Sequence, residues 1–164
     1  MNFETEKLRR DHDVAGFDCG TPALNQFLVR YALQNQHSDA SQTYVLAEAR
    51  RVIGYYTLVV GHVAFDDAPE RLRKGLARHP IPLMTLARLA ISVGRQGQGL
   101  GAALLKDAMA RTLQAADIAG IRAFDVQAKD KVARDFYLHF NFDAAPTDPL
   151  HLFLLTKEIK AFFR

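Results

Sequence analysis

The sequence predicts an α/β domain of three layers, a mixed central sheet covered by helices on both faces, and three observations predict it. Amphipathic helical stretches and stretches rich in β-branched and aromatic residues follow one another in mixed order along the chain. An apolar run, Leu83 to Val93, leads straight through a cluster of glycines into a segment rich in Ala and Leu. The 164 residues can bury one substantial core but are too few for two ordinary domains. Because no linker-like tract or internal repeat divides them, residues 1–164 are expected to form a single domain.

Each element follows from local pattern. A short strand is expected near Phe3 to Leu8. Thr21-Pro22 then supplies a capping-type residue and a proline at the first helical position, and Leu24, Phe27, Leu28 and Tyr31 recur at helical spacing toward His37. Gln42 to Glu48 and Val52 to Val60 read as two strands of a hairpin with Arg50-Arg51 between them. If Pro69 to His79 is helical, Arg71, Lys74 and Arg78 share one face. Leu83 to Val93 is a buried strand with Arg88 as its one charge before the terminal arginine-bearing turn. A helix from Leu100 to about Ala115 carries the apolar stripe of Leu100, Leu104, Leu105, Ala108, Met109 and Leu113. The remaining elements are a strand Ile121 to Gln127, a helix Lys131 to Phe140, a strand Leu152 to Thr156 and an amphipathic helix Lys157 to Phe163.

Composition narrows the function. An apolar fraction of 49% with 24% charged residues fits a folded soluble protein, and no apolar run approaches the length of a membrane span. The N-terminal segment is acidic where an export signal would be basic, so a cytoplasmic location is expected. The lone Cys19 supports neither a disulfide framework nor a cluster of soft metal ligands, and no metal is expected. The net charge of +3 is small, but Arg71, Arg73, Lys74 and Arg78 cluster ahead of Arg88, either as a solvated face or as a contact for phosphates.

The segment that carries chemistry is Gln96-Gly97-Gln98-Gly99-Leu100-Gly101-Ala102 at the junction of strand and helix. Glycines allow positive φ and close backbone approach, and the exposed N–H groups and dipole of a helix N-terminus favour an anion such as a pyrophosphate. A P-loop would need Lys and Ser or Thr after its last glycine, yet Gly101 is followed by Ala102-Ala103. A dinucleotide fingerprint is formally met, but no carboxylate stands at the end of the next strand, since Asp125 lies mid-strand.

This turn, after a buried strand, resembles the Gln/Arg-x-x-Gly-x-Gly/Ala acetyl-CoA-binding turn of the GNAT acetyltransferases, a single-domain α/β fold. Downstream, Asp130 to Phe142 is similar to the family's Asn-x-x-Ala-x-x-Phe-Tyr-x-x-x-Gly-Phe block. The resemblance implies that Gln96, Gly97, Gln98, Gly99, Leu100, Gly101 and Ala102 hold the CoA pyrophosphate, while Leu89, Ala90 and Ile91 pair with the pantetheine arm. Asp130 stands at the position of a CoA-contacting Asn and can accept a hydrogen bond where that residue could also donate. Asn141 replaces the usual glycine and tolerates the left-handed conformation better than most residues. An amine then attacks the thioester, a backbone N–H near Ile91 meets the developing oxyanion, and Tyr137 protonates the departing thiolate. Arg95 could pair with CoA phosphates. Glu48, His62, Asp66 and Asp67 lie on or near the strands that would face the acceptor, and none is assigned as a base.

Phe17 to Leu28, Gly54 to Leu58, Pro80 to Pro82, Leu86 to Ala90 and Phe142 to Pro146 further resemble the GNAT toxins of bacterial type II toxin–antitoxin modules. That resemblance implies acetylation of the α-amine of aminoacyl-tRNA, which blocks translation, and neutralisation by a ribbon-helix-helix antitoxin through which alone DNA is contacted. Homodimerisation is a further family expectation. Arg71, Arg73, Lys74, Arg78 and Arg88 would then hold tRNA phosphates. The alternatives are an N-acetyltransferase for a small amine or a protein N-terminus, and a non-catalytic CoA-binding module.

Overall fold

The computed structural model describes residues 4–163, so Phe3, the first residue of the expected N-terminal strand, lies outside the described residues. The strands are β1 (Glu6–Lys7), β2 (Gln42–Glu48), β3 (Arg51–Val63), β4 (Ile81–Ile91), β5 (Ala123–Gln127), β6 (Asp143–Ala144) and β7 (His151–Leu155), in the sheet order β1-β2-β3-β4-β5-β7-β6. The helices are α1 (Pro22–Gln26), α2 (Ala32–His37), α3 (Glu70–Arg73), α4 (Leu100–Ala116), α5 (Lys131–Leu138) and α6 (Thr156–Phe162). β4 and β5 run parallel, as strands joined by a crossover helix do, and the pairs β1/β2, β2/β3, β5/β7 and β6/β7 are antiparallel. The sheet is therefore mixed, as the pattern of elements predicts.

The chain divides into two compact units, Met1–Val59 with Ala87–Ala108, and Val60–Leu86 with Met109–Arg164. In the first, Leu8, Phe17, Phe27, Leu28, Val45, Val52 and Tyr55 form one core. The fully buried Tyr55 ring lies among Phe17 and Phe27, and its hydroxyl donates to Leu24 O at 2.7 Å. On the opposite face, a Cβ at Gly54 would stand 2.8 Å from Ile91 Cδ1 and 3.2 Å from Leu104 Cδ1. A bare α-carbon is what lets α4 lie this close to β3. In the second unit Val63, Leu72, Ile81, Leu83, Ala123, Phe153 and Leu155 form another core. Across the sheet from it, Phe124 packs on Phe142, which packs on Tyr137 of α5.

Several local expectations are corrected. The helical run from Pro22 to His37 is interrupted by a π-helical stretch, Phe27–Tyr31, which turns both Phe27 and Leu28 into the core. Thr21 makes no side-chain cap; its carbonyl accepts from Leu24 N and Asn25 N instead. The hairpin turns at Ala49 (φ 47°) and Arg50 (φ 70°), one residue before the expected Arg50-Arg51, with Glu48 opposite Arg51. Two successive positive φ values match the twist of the flanking strands, which explains why two non-glycine residues adopt them. The basic segment is helical only over Glu70–Arg73, because Gly75 (φ 81°) leaves the helix, so Arg71, Lys74 and Arg78 do not share a helical face. The two-residue β6 has no counterpart in the sequence expectation, being too short to show a period.

Candidate active site

The glycine-rich turn is built on the end of β4. Ser92 N donates to Ile53 O and Val93 N to Asp18 O, which pins the strand's exit. The Gln96 amide then donates to both Ile91 O and Cys19 O at 3.0 Å, closing the turn from within. Gly97 and Gly99 both have φ 78°, and no protein atom lies within 4 Å of where a Cβ would stand on either. The left-handed backbone accounts for the glycines, and the open space above them accounts for room to admit a ligand. Gln98 between them is exposed, whereas the Leu100 side chain is buried and anchors the start of α4. Ala103 N donates to Gly99 O, so the N–H groups of Leu100, Gly101 and Ala102 precede the first intrahelical bond. At the head of a 17-residue helix these groups suit a phosphate. Arg95 is held by Glu48 in an ion pair at this end of the unit, which places Glu48 away from any role as an unengaged base.

β4 supplies the second part. Its register with β5 runs from Leu83↔Ala123 to Leu86↔Val126, and the strand continues five residues further, to Ile91. Leu89 and Ile91 are half-buried and Ala90 is buried along that extension. A strand edge with backbone donors and acceptors past the end of its ladder can be paired by an extended amide-bearing chain such as pantetheine. The turn's open glycines, the helix N-terminus and this edge together fit the chemistry of a CoA thioester.

Tyr137 lies in the second unit, on α5, with its ring edge-on to Phe136 and Phe142 at 5.1 and 5.5 Å. Burial pushes its phenol well above the ordinary tyrosine range, so the hydroxyl keeps its proton at neutral pH. Asp130, the residue expected to contact the cofactor, is the N-cap of α5, its Oδ1 accepting from Ala133 N at 2.8 Å. Asn141 has φ 70°, the left-handed conformation anticipated for it at the helix exit.

The cationic residues separate into two groups. In the second unit Arg73 and Arg78 both stack on Phe65, at 5.6 and 5.2 Å, and Arg78 also grips Asp66 with contacts of 2.7 and 2.9 Å. Arg71 pairs with Asp143 and Glu158, and Lys74 follows α3. Such exposed pairs are weak and open readily to a competing phosphate. Arg88, in the first unit, lies 3.6 Å above the Phe27 ring. Two contributors carried little sequence signal. Arg122 donates to Leu72 O and Lys74 O and so holds the basic loop, though one arginine at a strand's start looks like any other. Asp125 accepts from Thr85 and contacts His151, and only its place inside an apolar strand marked it out. Among the described residues no group of three or more metal-type ligands exists, and no helix is long and apolar enough to cross a membrane.

Residues 8–142 match the Acetyltransferase (GNAT) family. A tRNA-acetylating toxin of Mycobacterium tuberculosis is 46% identical over 149 residues, covering 91% of this chain and 89% of that protein. The solved structure of AtaT complexed with acetyl-methionyl-tRNAfMet superposes with a TM-score of 0.91 at 32% identity, covering 99% of this chain and all of the other. A Tyr-to-Phe mutant of AtaT bound to acetyl-CoA and the C-terminus of the antitoxin AtaR gives 0.84 at 32% identity, covering 99% of both chains.

Proposed function

The chain belongs to the GNAT acetyltransferase family, and from that premise we propose that it is a toxin that acetylates the α-amino group of aminoacyl-tRNA and so blocks translation. It is an acetyl-CoA-dependent N-acetyltransferase; acetyl-CoA supplies the activated acetyl group. The observation that carries the substrate assignment is the 46% identity to a tRNA-acetylating toxin over nearly the whole chain. Residues 1–164 work as one catalytic domain, a reading supported by a family match that takes in parts of both compact units.

In this reading Gly97, Gly99 and the N–H groups of Leu100, Gly101 and Ala102 receive the pyrophosphate, with Gln96 and Gln98 shaping the turn. Leu89, Ala90 and Ile91 offer the strand edge to the pantetheine arm, and a backbone N–H near Ile91 meets the developing oxyanion. Tyr137, kept protonated by burial, gives its proton to the thiolate. Asp130 caps α5 with one carboxylate oxygen and offers the other as an acceptor to the cofactor. Arg71, Arg73, Lys74, Arg78 and Arg88 contact the phosphates of the tRNA, and recognition rests on shape and charge. A ribbon-helix-helix antitoxin neutralises the enzyme and makes the DNA contacts. The substrate places the reaction in the cytoplasm.

The test is transfer from labelled acetyl-CoA to a bulk aminoacyl-tRNA pool beside deacylated tRNA and a panel of free amines. Label confined to charged tRNA is the expected result. Label on free amines whether or not tRNA is present would retain the enzyme and discard the toxin.

A further inference from the structure

The glycines that open the strand-to-helix turn to a ligand also leave it with little to hold it. Glycine loses more conformational freedom on ordering than any other residue, and no protein atom lies within 4 Å of a Cβ built on Gly97 or Gly99. A turn whose N–H groups must point at an anion is best fixed before the ligand arrives, because ordering it on binding subtracts from affinity. The fastening comes from outside the turn. It is supplied by the loop Asp18-Cys19-Gly20 and by Asn25 of α1, which lie with the turn in the first compact unit.

Two hydrogen bonds join that loop to the strand exit and the turn. Val93 N donates to Asp18 O at 2.8 Å, and Gln96 Nε2 donates to Cys19 O at 3.0 Å while also reaching Ile91 O. Asn25 holds the loop in turn. Its Oδ1 accepts from Cys19 N at 2.8 Å, and its Nδ2 donates to Asp18 Oδ1 at 3.0 Å, an oxygen that also accepts from Gly20 N at 2.9 Å. The Gly20 N–H, and after it the Asn25 amide, holds the Asp18 carboxyl below the usual carboxylate range, so this acceptor is ionised at neutral pH. Cys19 is thus gripped on both sides, its N–H by Asn25 and its carbonyl by Gln96. Both ends of the clip stand on the core: Phe17 is buried against Tyr55, and Leu24, beside Asn25, packs on the same cluster.

We propose that Asn25, together with Asp18, is a positioning residue for acetyl-CoA, acting through the Cys19 backbone on Gln96 to fix the turn that receives the pyrophosphate. The proposal rests on the reading of that turn given above. Neither side chain is assigned a contact with the cofactor, so the effect falls on acetyl-CoA binding and not on the chemical step. Asn25→Asp is the sharpest perturbation. It keeps an acceptor for Cys19 N–H but sets a second carboxylate where the donor to Asp18 stood, and like charges at that spacing repel. Adding Asp18→Asn removes the repulsion and returns an amide donor to the pair.

The experiment compares wild type, Asn25→Ala, Asn25→Asp and the double variant Asn25→Asp/Asp18→Asn. Acetyl-CoA affinity is read by calorimetry, kcat and KM by transfer to charged tRNA, and order in the turn by hydrogen exchange of amides 97–102 in the ligand-free chain. The single variants are expected to bind acetyl-CoA about tenfold more weakly, the scale of one hydrogen bond. Their KM for acetyl-CoA rises to match, kcat at saturation stays at the wild-type value, and the turn amides exchange faster. The double variant regains affinity and protection. Unchanged exchange in Asn25→Asp overturns the positioning role, as does a fall in kcat that the double variant does not rescue, the mark of general damage. Faster exchange with unchanged affinity would show that the clip orders the turn but that the turn is not the pyrophosphate site, so the reading of the turn falls and this proposal with it. Should Asn25→Ala fold poorly, Asn25→Asp and its rescue decide. Calorimetry and exchange need no acceptor, so failure of the tRNA assignment leaves the test standing.

Discussion

At the scale of single residues, environment rather than identity assigns the roles. Tyr137 and Tyr55 are both buried phenols whose titration is pushed upward by burial, yet Tyr55 spends its hydroxyl on Leu24 O and Tyr137 does not. Tyr137→Phe is expected to lower kcat by about 10²-fold or more with acetyl-CoA affinity unchanged, measured by single turnover and calorimetry; equal rates would remove the proton-donor role. The sign of the pH effect follows. A donor must be protonated, and a raised phenol stays protonated up to and beyond the ordinary tyrosine range of about 10. A pH–rate profile should therefore show no alkaline loss attributable to Tyr137 below that range. The sequence marks Tyr137 as a candidate through an aromatic pair at a fixed place in a block, and the structure adds that its ring is buried against Phe136 and Phe142. Asp130 was only half legible: its position was readable, but whether its carboxylate meets a ligand or an N–H group depends on where α5 begins.

At the scale of elements, the strand-to-helix turn was read correctly because its constraint is local. Positive φ at Gly97 and Gly99 needs glycine whatever lies around it. Gly97→Ala meets no protein atom and so should cost stability only the left-handed penalty, about 1–2 kcal/mol. Its larger expected effect is weaker acetyl-CoA binding, read by the ligand-induced shift in Tm. Gly54 is the opposite case, since its φ is unremarkable and its neighbours decide. Gly54→Ala drives a methyl into Ile91 and toward Ala90 O and should cost about 1–3 kcal/mol in denaturant unfolding, the range for overpacking. An unchanged midpoint would show that α4 can move away. The basic segment failed as a helix for a similar reason: its charges suit a helical face, but Gly75 and the Arg122 contacts to Leu72 O and Lys74 O end the helix after one turn.

At the scale of the whole molecule, charge and topology act together. Transfer to aminoacyl-tRNA should weaken steeply as salt rises, because phosphate contacts release counterions, while the KM for acetyl-CoA changes less. Arg73→Glu, at a side chain that stacks on Phe65, should raise KM for charged tRNA and flatten the salt slope by about one unit per lost contact. A slope identical to wild type would remove Arg73 from the interface. By itself the sequence determined the fold class, the order of elements and the glycine-rich strand-to-helix turn, because each rests on a short-range rule: hydrophobic period, glycine's φ, or a block of contiguous residues. Only the tertiary structure decided that β4 outruns β5, that Arg71 and Arg78 are held by carboxylates, and that Thr85, Asp125 and His151 converge. Those facts join residues tens of positions apart, and strand register brings such residues together through backbone hydrogen bonds that no spacing in the sequence records.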